Sequence, residues 1–344
     1  MGSARLLLRA AFACALVLVC VGCTGEGRRS ASAHPPPPRD PGSGVPHDAR
    51  GQLATSTEVV PAQAKMAGAA PVATETRAAD PPYDLASDRE RRARAAKAEL
   101  GPRSMSTIVS DVFVVIGPPG WQGGRYEQSV ALMKSAMAGF MNGRFGKKPN
   151  EAISVYLFPN GQTYESFCML KYSAPCIAHF GFYQPGDRYM VMNIGLGLGT
   201  LTHEIVHPLV EADFPGAPTW INEGIASVFE QPQIPRPGEI HGGKNWRHPR
   251  LKRALTTGER DRARLDRLFG MRDDTFRGDA EDLHYAMARY VCQWLDSQGK
   301  LWPFYQRWRD NIANDPTGAQ SFEAVVGMPP AEAHALWSKW VLAL

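Results

Sequence analysis

The sequence predicts an α+β fold, with strands and helices alternating up to about residue 193 and helices alone thereafter. Three observations carry that reading. Short runs rich in Val, Ile, Phe, Tyr and Met, bounded by Gly and Pro, fall at 109–116, 153–158, 178–183 and 189–192. From residue 219 onward apolar residues recur at three- and four-residue steps, as on one face of a helix. Where the two regimes meet stands His203-Glu204-Ile205-Val206-His207, followed sixteen positions later by Glu223 in Trp220-Ile221-Asn222-Glu223-Gly224.

The elements follow in order. The strand at 109–116 ends at Gly117-Pro118-Pro119-Gly120, and Tyr126, Val130, Met133, Met137 and Phe140 mark a helix that Gly143 to Pro149 stops. A strand at 153–158, a short helix at 162–171 and a strand at 178–183 lead to the turn Gln184-Pro185-Gly186-Asp187, which returns the chain into a strand at 189–192. Gly195-Leu196-Gly197-Leu198-Gly199 lies where a phosphate-binding loop would lie, but it has neither the Lys of a P-loop nor the dinucleotide spacing. Its expected use is to let the backbone turn tightly and pass close to the metal face. Helices are expected at 219–229, 249–256, 260–269, 283–298 and 302–313, and in two pieces from 323 to the end.

The first 84 residues are set apart by composition. Arg5 and Arg9 precede an apolar run from Ala10 to Val21 that is too short to span a membrane and ends in small residues, as an export signal does. Cys20-Val21-Gly22-Cys23 resembles a lipobox, which implies cleavage after residue 22 and diacylation of Cys23; Cys20 stands where Leu is usual, and an ordinary cleaved signal peptide or a retained anchor are the alternatives. Residues 23–84 are rich in Pro, Ala, Ser, Thr and Gly and read as a disordered tether. A flexible coil of that length reaches about 40 Å. The folded part then divides into 85–212, containing the strands and the His-Glu-x-x-His helix, and 213–344, mostly helical. The basic run 89–97, which includes Glu90, reads as the solvated face of a helix.

The chain of 344 residues is 44% apolar, enough for a sizeable core, and its net charge of +4 comes from scattered Arg and Lys. No basic stripe interleaved with aromatic residues argues for nucleic acid. In an exported protein Cys168 and Cys176 are close enough to close a short loop by a disulfide, while Cys292 reads as a buried helix residue. His34, His47, His179, His241, His248 and His334 show no ligand spacing with one another.

Residues four apart on a helix share a face, so His203 and His207 converge on one ion with Glu204 beside it. Glu223 supplies a third, anionic ligand. A His, His, Glu set suits Zn and leaves a position open for water, whose pKa the ion lowers from ~15.7 towards ~7. Glu204 is then placed to take the water proton and pass it to a leaving amine. Pro208, directly after the second His, lacks an amide hydrogen and crowds the carbonyl of Glu204, so the helix is expected to kink or end there.

The order strand, helix, strand, hairpin, H-E-x-x-H helix, W-x-x-E-G helix and a later Tyr-bearing helix resembles the gluzincin metallopeptidases, specifically the peptidase MA-like family. Gly181 to Pro185, Thr200 to His207, Pro218 to Ser227, and Tyr285-Ala286-Met287-Ala288 leading to Trp294-Leu295 carry the likeness, which covers most of 105–344. The resemblance implies a zincin-like fold and a zinc metallopeptidase acting on a peptide or protein. It also implies that Tyr285 donates to the developing oxyanion, with His284 and Tyr290 in reserve. Where such sequences carry a carboxylate that orients the first His, four residues after the Glu ligand, this chain has Ser227. Asp213, Glu230 and Glu211 are the candidates to replace it. Taken together, these readings describe a zinc peptidase tethered by lipid at the cell envelope. A surface-binding lipoprotein without turnover and a zinc amidase acting on cell-wall material are the alternatives.

Overall fold

Asp84 accepts hydrogen bonds from the backbone N–H groups of Ala86 and Ser87, capping a first helix, α1 (Leu85–Leu100). The structure, a computed structural model, describes residues 82–121 and 124–344. The expected export signal, Cys23 and almost all of the expected tether lie outside the described residues. The basic face of α1 is less solvated than its composition predicts. Asp88 and Arg92 are buried, and Arg92 donates to Asp88 (3.3 Å), to Ser154 Oγ (3.2 Å) and to the carbonyl of Arg188 (3.3 Å), which fastens the helix to the sheet.

The apolar run expected as one strand at 109–116 is the second half of a hairpin. β1 (Met105–Val109) pairs antiparallel with β2 (Phe113–Gly117), with Val109 opposite Phe113. Ser110 and Asp111, with φ of 51° and 64°, make the turn between them. Asp tolerates the left-handed region and Ser-Asp is a turn dipeptide, but the β-branched residues on both sides mask it in a periodicity scan. Helix α2 (Arg125–Met141), β3 (Ile153–Phe158) and α3 (Gly161–Tyr172) follow as expected.

Next come β4 (Gly181–Gln184) and β5 (Tyr189–Asn193). β4 is shorter than expected: residues 178–180 lie beyond the loop that a disulfide between Cys168 and Cys176 closes, and they form bends rather than strand. There the carbonyl of Ala178 accepts from Tyr164 OH, and that of Phe180 from the Asn193 N–H. The five strands form a mixed sheet in the order β1-β2-β3-β5-β4, parallel across β2, β3 and β5 and antiparallel at both edges.

Alternation along the strands builds two cores. Val115, Val155, Leu157, Met190 and Met192 face one side, against α2 and the later helices; Val114, Ile116, Tyr156, Phe158 and Val191 face the other, with Ala96 of α1 and Phe167 and Cys168 of α3. Central strands covered on both faces read as continuous apolar runs, which is why they are legible in sequence.

After β5 a 3-10 turn (Ile194–Leu196) leads into α4 (Gly199–Asp213) and then α5 (Thr219–Val228). α4 does not end at Pro208: it runs through that buried residue to Asp213. Leu201, Ile205, Val206, Leu209 and Val210, all fully or almost fully buried, hold both sides of the proline in the core. Proline removes one hydrogen bond of the helix, and burial on this scale outweighs that loss.

Two short strands, β6 (Pro232–Gln233) and β7 (His241–Gly242), pair next. The remainder is helical: α6 (His248–Thr256), α7 (Leu265–Phe269), α8 (Asp273–Phe276), α9 (Glu281–Asp296), α10 (Leu301–Asn311), α11 (Ala319–Val326) and α12 (Pro330–Ala343). The helix expected at 260–269 begins only at Leu265. From Glu259 to Arg264 Ala263 alone is buried, too few apolar contacts to hold a helical turn to the core. The fold is therefore α+β, with one core cluster running from β1 to α12. Among the described residues no helix is long and apolar enough to cross a membrane.

Candidate metal centre

Two glycines let the helices carrying the site approach one another. A Cβ on Gly199, the first residue of α4, would fall 2.0 Å from the carbonyl oxygen of Glu230, just past α5. Thr202 Oγ1 donates to the neighbouring Phe229 carbonyl at 2.6 Å. The glycine at the end of the loop thus lets the start of α4 pass close to the backbone that follows α5. Gly224 does the same on the other side of α5, where a Cβ would lie 2.9 Å from both Ala288 O and Cys292 Sγ of α9. Trp220 is fully buried against Phe269, Phe304 and Trp308 and anchors the start of α5. In Trp220-Ile221-Asn222-Glu223-Gly224, Trp and Gly therefore position the helix, while Asn and Glu face the site.

His203, Glu204 and His207 offer donor atoms that all lie within 4.8 Å of one another, and their side chains are 9–16% exposed. Glu223 Oε2 is 3.5 Å from His203 Nε2, and Glu204 Oε2 is 3.8 Å from His207 Nε2. Two ligands each ~2.1 Å from a tetrahedral ion stand about 3.4 Å apart, so the gap between His203 and Glu223 is that of two ligands sharing a metal. Glu223 does not fall within the tight group of three formed by His203, Glu204 and His207.

The outward nitrogen of His207 has a hydrogen-bond partner, and that of His203 a nearby carboxylate. His207 Nδ1 is 2.9 Å from Asn222 Oδ1, a hydrogen bond that fixes Nδ1 as the donor and leaves Nε2 free to ligate. His203 Nδ1 faces Glu230 Oε1 at 3.5 Å, long for a hydrogen bond but close for a charge partner. Of the candidates to replace the missing carboxylate, Glu230 is the one at the site. Asp213 is held by Arg309 at 2.9 Å and by the Gly146 N–H, Glu211 accepts from Tyr183 OH at 3.2 Å, and Ser227 Oγ is buried with no hydrogen-bond partner.

Glu230 is itself clamped by Arg247, at 2.9 and 3.2 Å, and by Asn245 Nδ2 at 2.5 Å. Burial pushes its carboxyl up, but the Arg247 guanidinium and the His203 imidazole more than offset this and hold it at about 2. Burial disfavours a charged His203, yet Glu223 and Glu230 raise its pKa well above the usual imidazole value.

Tyr285 of α9 stands at the rim. Arg277, just past α8, donates to Tyr285 OH at 3.1 Å and to Glu223 Oε1 at 3.0 Å, tying the expected oxyanion donor to the expected ligand. Burial and Glu223 push the Tyr285 phenol up, against the Arg277 charge, so it stays a neutral donor at pH 7. The reserves are engaged elsewhere: Tyr290 OH accepts from the Asn245 N–H, and His284 Nδ1 pairs with the Phe276 carbonyl. His241, His248 and His334 meet Asp296, the Val341 carbonyl and the Leu265 N–H, all outside the site. Cys292 is fully buried and burial pushes its thiol up, which leaves it inert.

Sequence reasoning missed Asn222, Arg247 and Arg277. Asn222 lies inside the recognised motif, beside Glu223, and was legible there. The arginines carry no such signal, since Arg247 precedes α6 and Arg277 follows a four-residue helix that periodicity cannot reveal. A scan against protein-family models and a search of curated proteins both return no match for this chain.

Proposed function

We propose that the protein is a zincin-like zinc metallopeptidase of gluzincin type. The observation that carries the reading is the pair of imidazoles held from behind by Asn222 and Glu230, with Nε2 of His203 meeting the carboxylate of Glu223. His203, His207 and Glu223 would hold the ion. Bound zinc would supply a Lewis acid for a carbonyl and a lowered pKa for water.

The residues of the chain do the rest. Glu204, fixed on the same turn as His203, takes the proton of the attacking water and returns it to the leaving amine. Tyr285 donates its hydroxyl hydrogen to the oxygen that becomes negative. Because Arg277 fills a lone pair of that hydroxyl, the Tyr285 hydrogen points away from Arg277. The same guanidinium binds Glu223 Oε1, while Oε2 faces His203 and is the oxygen that would be available to an ion. A peptide substrate is favoured by the sheet: β4 is an edge strand, and Tyr183 on it bonds Glu211, one turn beyond His207. An extended peptide adds to such an edge by backbone hydrogen bonds.

A peptide-library cleavage profile followed by mass spectrometry tests the reading. Zinc-dependent cleavage by the wild type, absent with Glu204→Gln, is expected; cleavage of no peptide by zinc-loaded protein refutes it.

We further propose that Cys23 carries lipid and tethers the domain to the cell envelope, on the strength of the Cys20-Val21-Gly22-Cys23 pattern. In a detergent partitioning experiment with a labelled fatty acid, the wild type should take label and enter the detergent phase. Unlabelled wild-type protein in the aqueous phase would contradict the anchor.

A further inference from the structure

Beside the metal centre runs a groove of about 480 Å³, lined by Arg262, Arg267, Arg272, Asp279 and His284 among others, over a floor that includes Gly270 and Ala280. Its charge is lopsided, with three guanidiniums against one carboxylate. Arg272 has Asp274 at 3.4 Å, but Arg262 and Arg267 have no ion pair or side-chain hydrogen bond among the described residues. This sets them apart from the arginines around the metal, since Arg247 and Arg277 are each engaged by a carboxylate. The two free cations are also a local excess. Between Lys244 and Arg277 the chain carries eleven Lys and Arg against five Asp and Glu, whereas the whole chain is only +4.

The groove and the metal centre share a wall. Thr275 and Gly278, on either side of the Phe276-Arg277 pair, line the groove, while Arg277 itself reaches Glu223 and Tyr285. His284 lines the groove, and its neighbour Tyr285 packs at a tilt against Phe276, 5.0 Å between centroids. The groove therefore adjoins the rim of the candidate metal centre on the side of Arg277 and Tyr285. Unpaired guanidiniums in a concave surface concentrate the field and recognise carboxylates by paired hydrogen bonds.

We propose that the groove is a substrate subsite selecting acidic peptides, with Arg262 and Arg267 binding Asp or Glu side chains next to the cleaved bond. The inference rests on the hydrolase reading for the position of that bond, while recognition itself needs no turnover. Arg262 and Arg267 are exposed and make no side-chain hydrogen bond or ion pair among the described residues, so reversing their charge is expected to leave the fold intact.

The test uses the mature protein loaded with zinc and carrying Glu204→Gln, so that binding is read without cleavage. A fluorescein-labelled peptide rich in Glu and Ala is compared, by anisotropy, with its Gln counterpart. The acidic peptide should bind about tenfold tighter, the preference should fade with added salt, and R262E/R267E should abolish it with zinc content and melting temperature unchanged. Equal binding of the two peptides overturns the subsite, as does a preference that survives R262E/R267E. So does capture of anionic phosphatidylglycerol vesicles through these two arginines without any peptide preference. If the acidic preference holds but active enzyme cleaves neither peptide, the hydrolase reading fails and the groove stands. If both peptides are cleaved equally well, the groove fails and the hydrolase reading stands.

Discussion

Glu204→Gln is expected to lower kcat by about 100- to 10,000-fold, the usual contribution of a positioned acid–base group. Zinc content should not change. Glu204 lies on the turn between the two His, 3.8 Å from His207 Nε2. From there it would reach a water beside a bound ion without being needed to hold that ion. Gln keeps the shape and one acceptor oxygen but cannot take a proton. A metal site with a purely structural role predicts no catalytic loss, because it has no proton to move. The alternative assignment, in which Glu204 is itself a ligand and Glu223 is not, predicts a different pair of outcomes. Zinc would then be lost in Glu204→Gln and retained in Glu223→Gln, and metal analysis of the two variants separates the cases.

Tyr285→Phe should lower kcat by about 100- to 1000-fold, or ~2.7–4 kcal/mol of transition-state stabilisation, while leaving KM and zinc content nearly unchanged. Phe retains the ring, so the cation–π contact with Arg247, 4.8 Å from the ring centroid, and the packing against Phe276 survive. What disappears is one hydrogen-bond donor, together with the anchor that Arg277 uses. Tyr290→Phe and His284→Ala are the controls, since both residues are committed to backbone partners away from the ion. Near-full activity in Tyr285→Phe, with loss in either control, would move the donor role to that residue.

Much of this site was legible in the sequence, for physical reasons that differ from residue to residue. His203, Glu204 and His207 were legible because helix geometry converts a four-residue spacing into one face. The central strands were legible because both their faces are covered, so nearly every residue along them is apolar, Ser154 and Asn193 being the exceptions. The hairpin turn at Ser110 and Asp111 was hidden because its flanks are as β-branched as a single strand. The continuity of α4 through Pro208 was hidden too, since local chemistry forecasts a break and only burial on both sides of the proline overrides it.

Glu230 was named among several candidates and could not be chosen, because its position depends on Gly199 admitting the backbone of residue 230 against the start of α4. Arg277 was out of reach altogether. It joins Glu223 to Tyr285 across 54 and 8 residues, from the end of a single helical turn with no pattern of its own.

The central claim is that one ion is held by His203, His207 and Glu223, and metal analysis of the purified protein tests it most directly. The account predicts one zinc per chain, lost in His203→Ala, His207→Ala and Glu223→Ala, and kept in Glu204→Gln with each variant still folded by circular dichroism. Zinc bound at full stoichiometry by His207→Ala would contradict it.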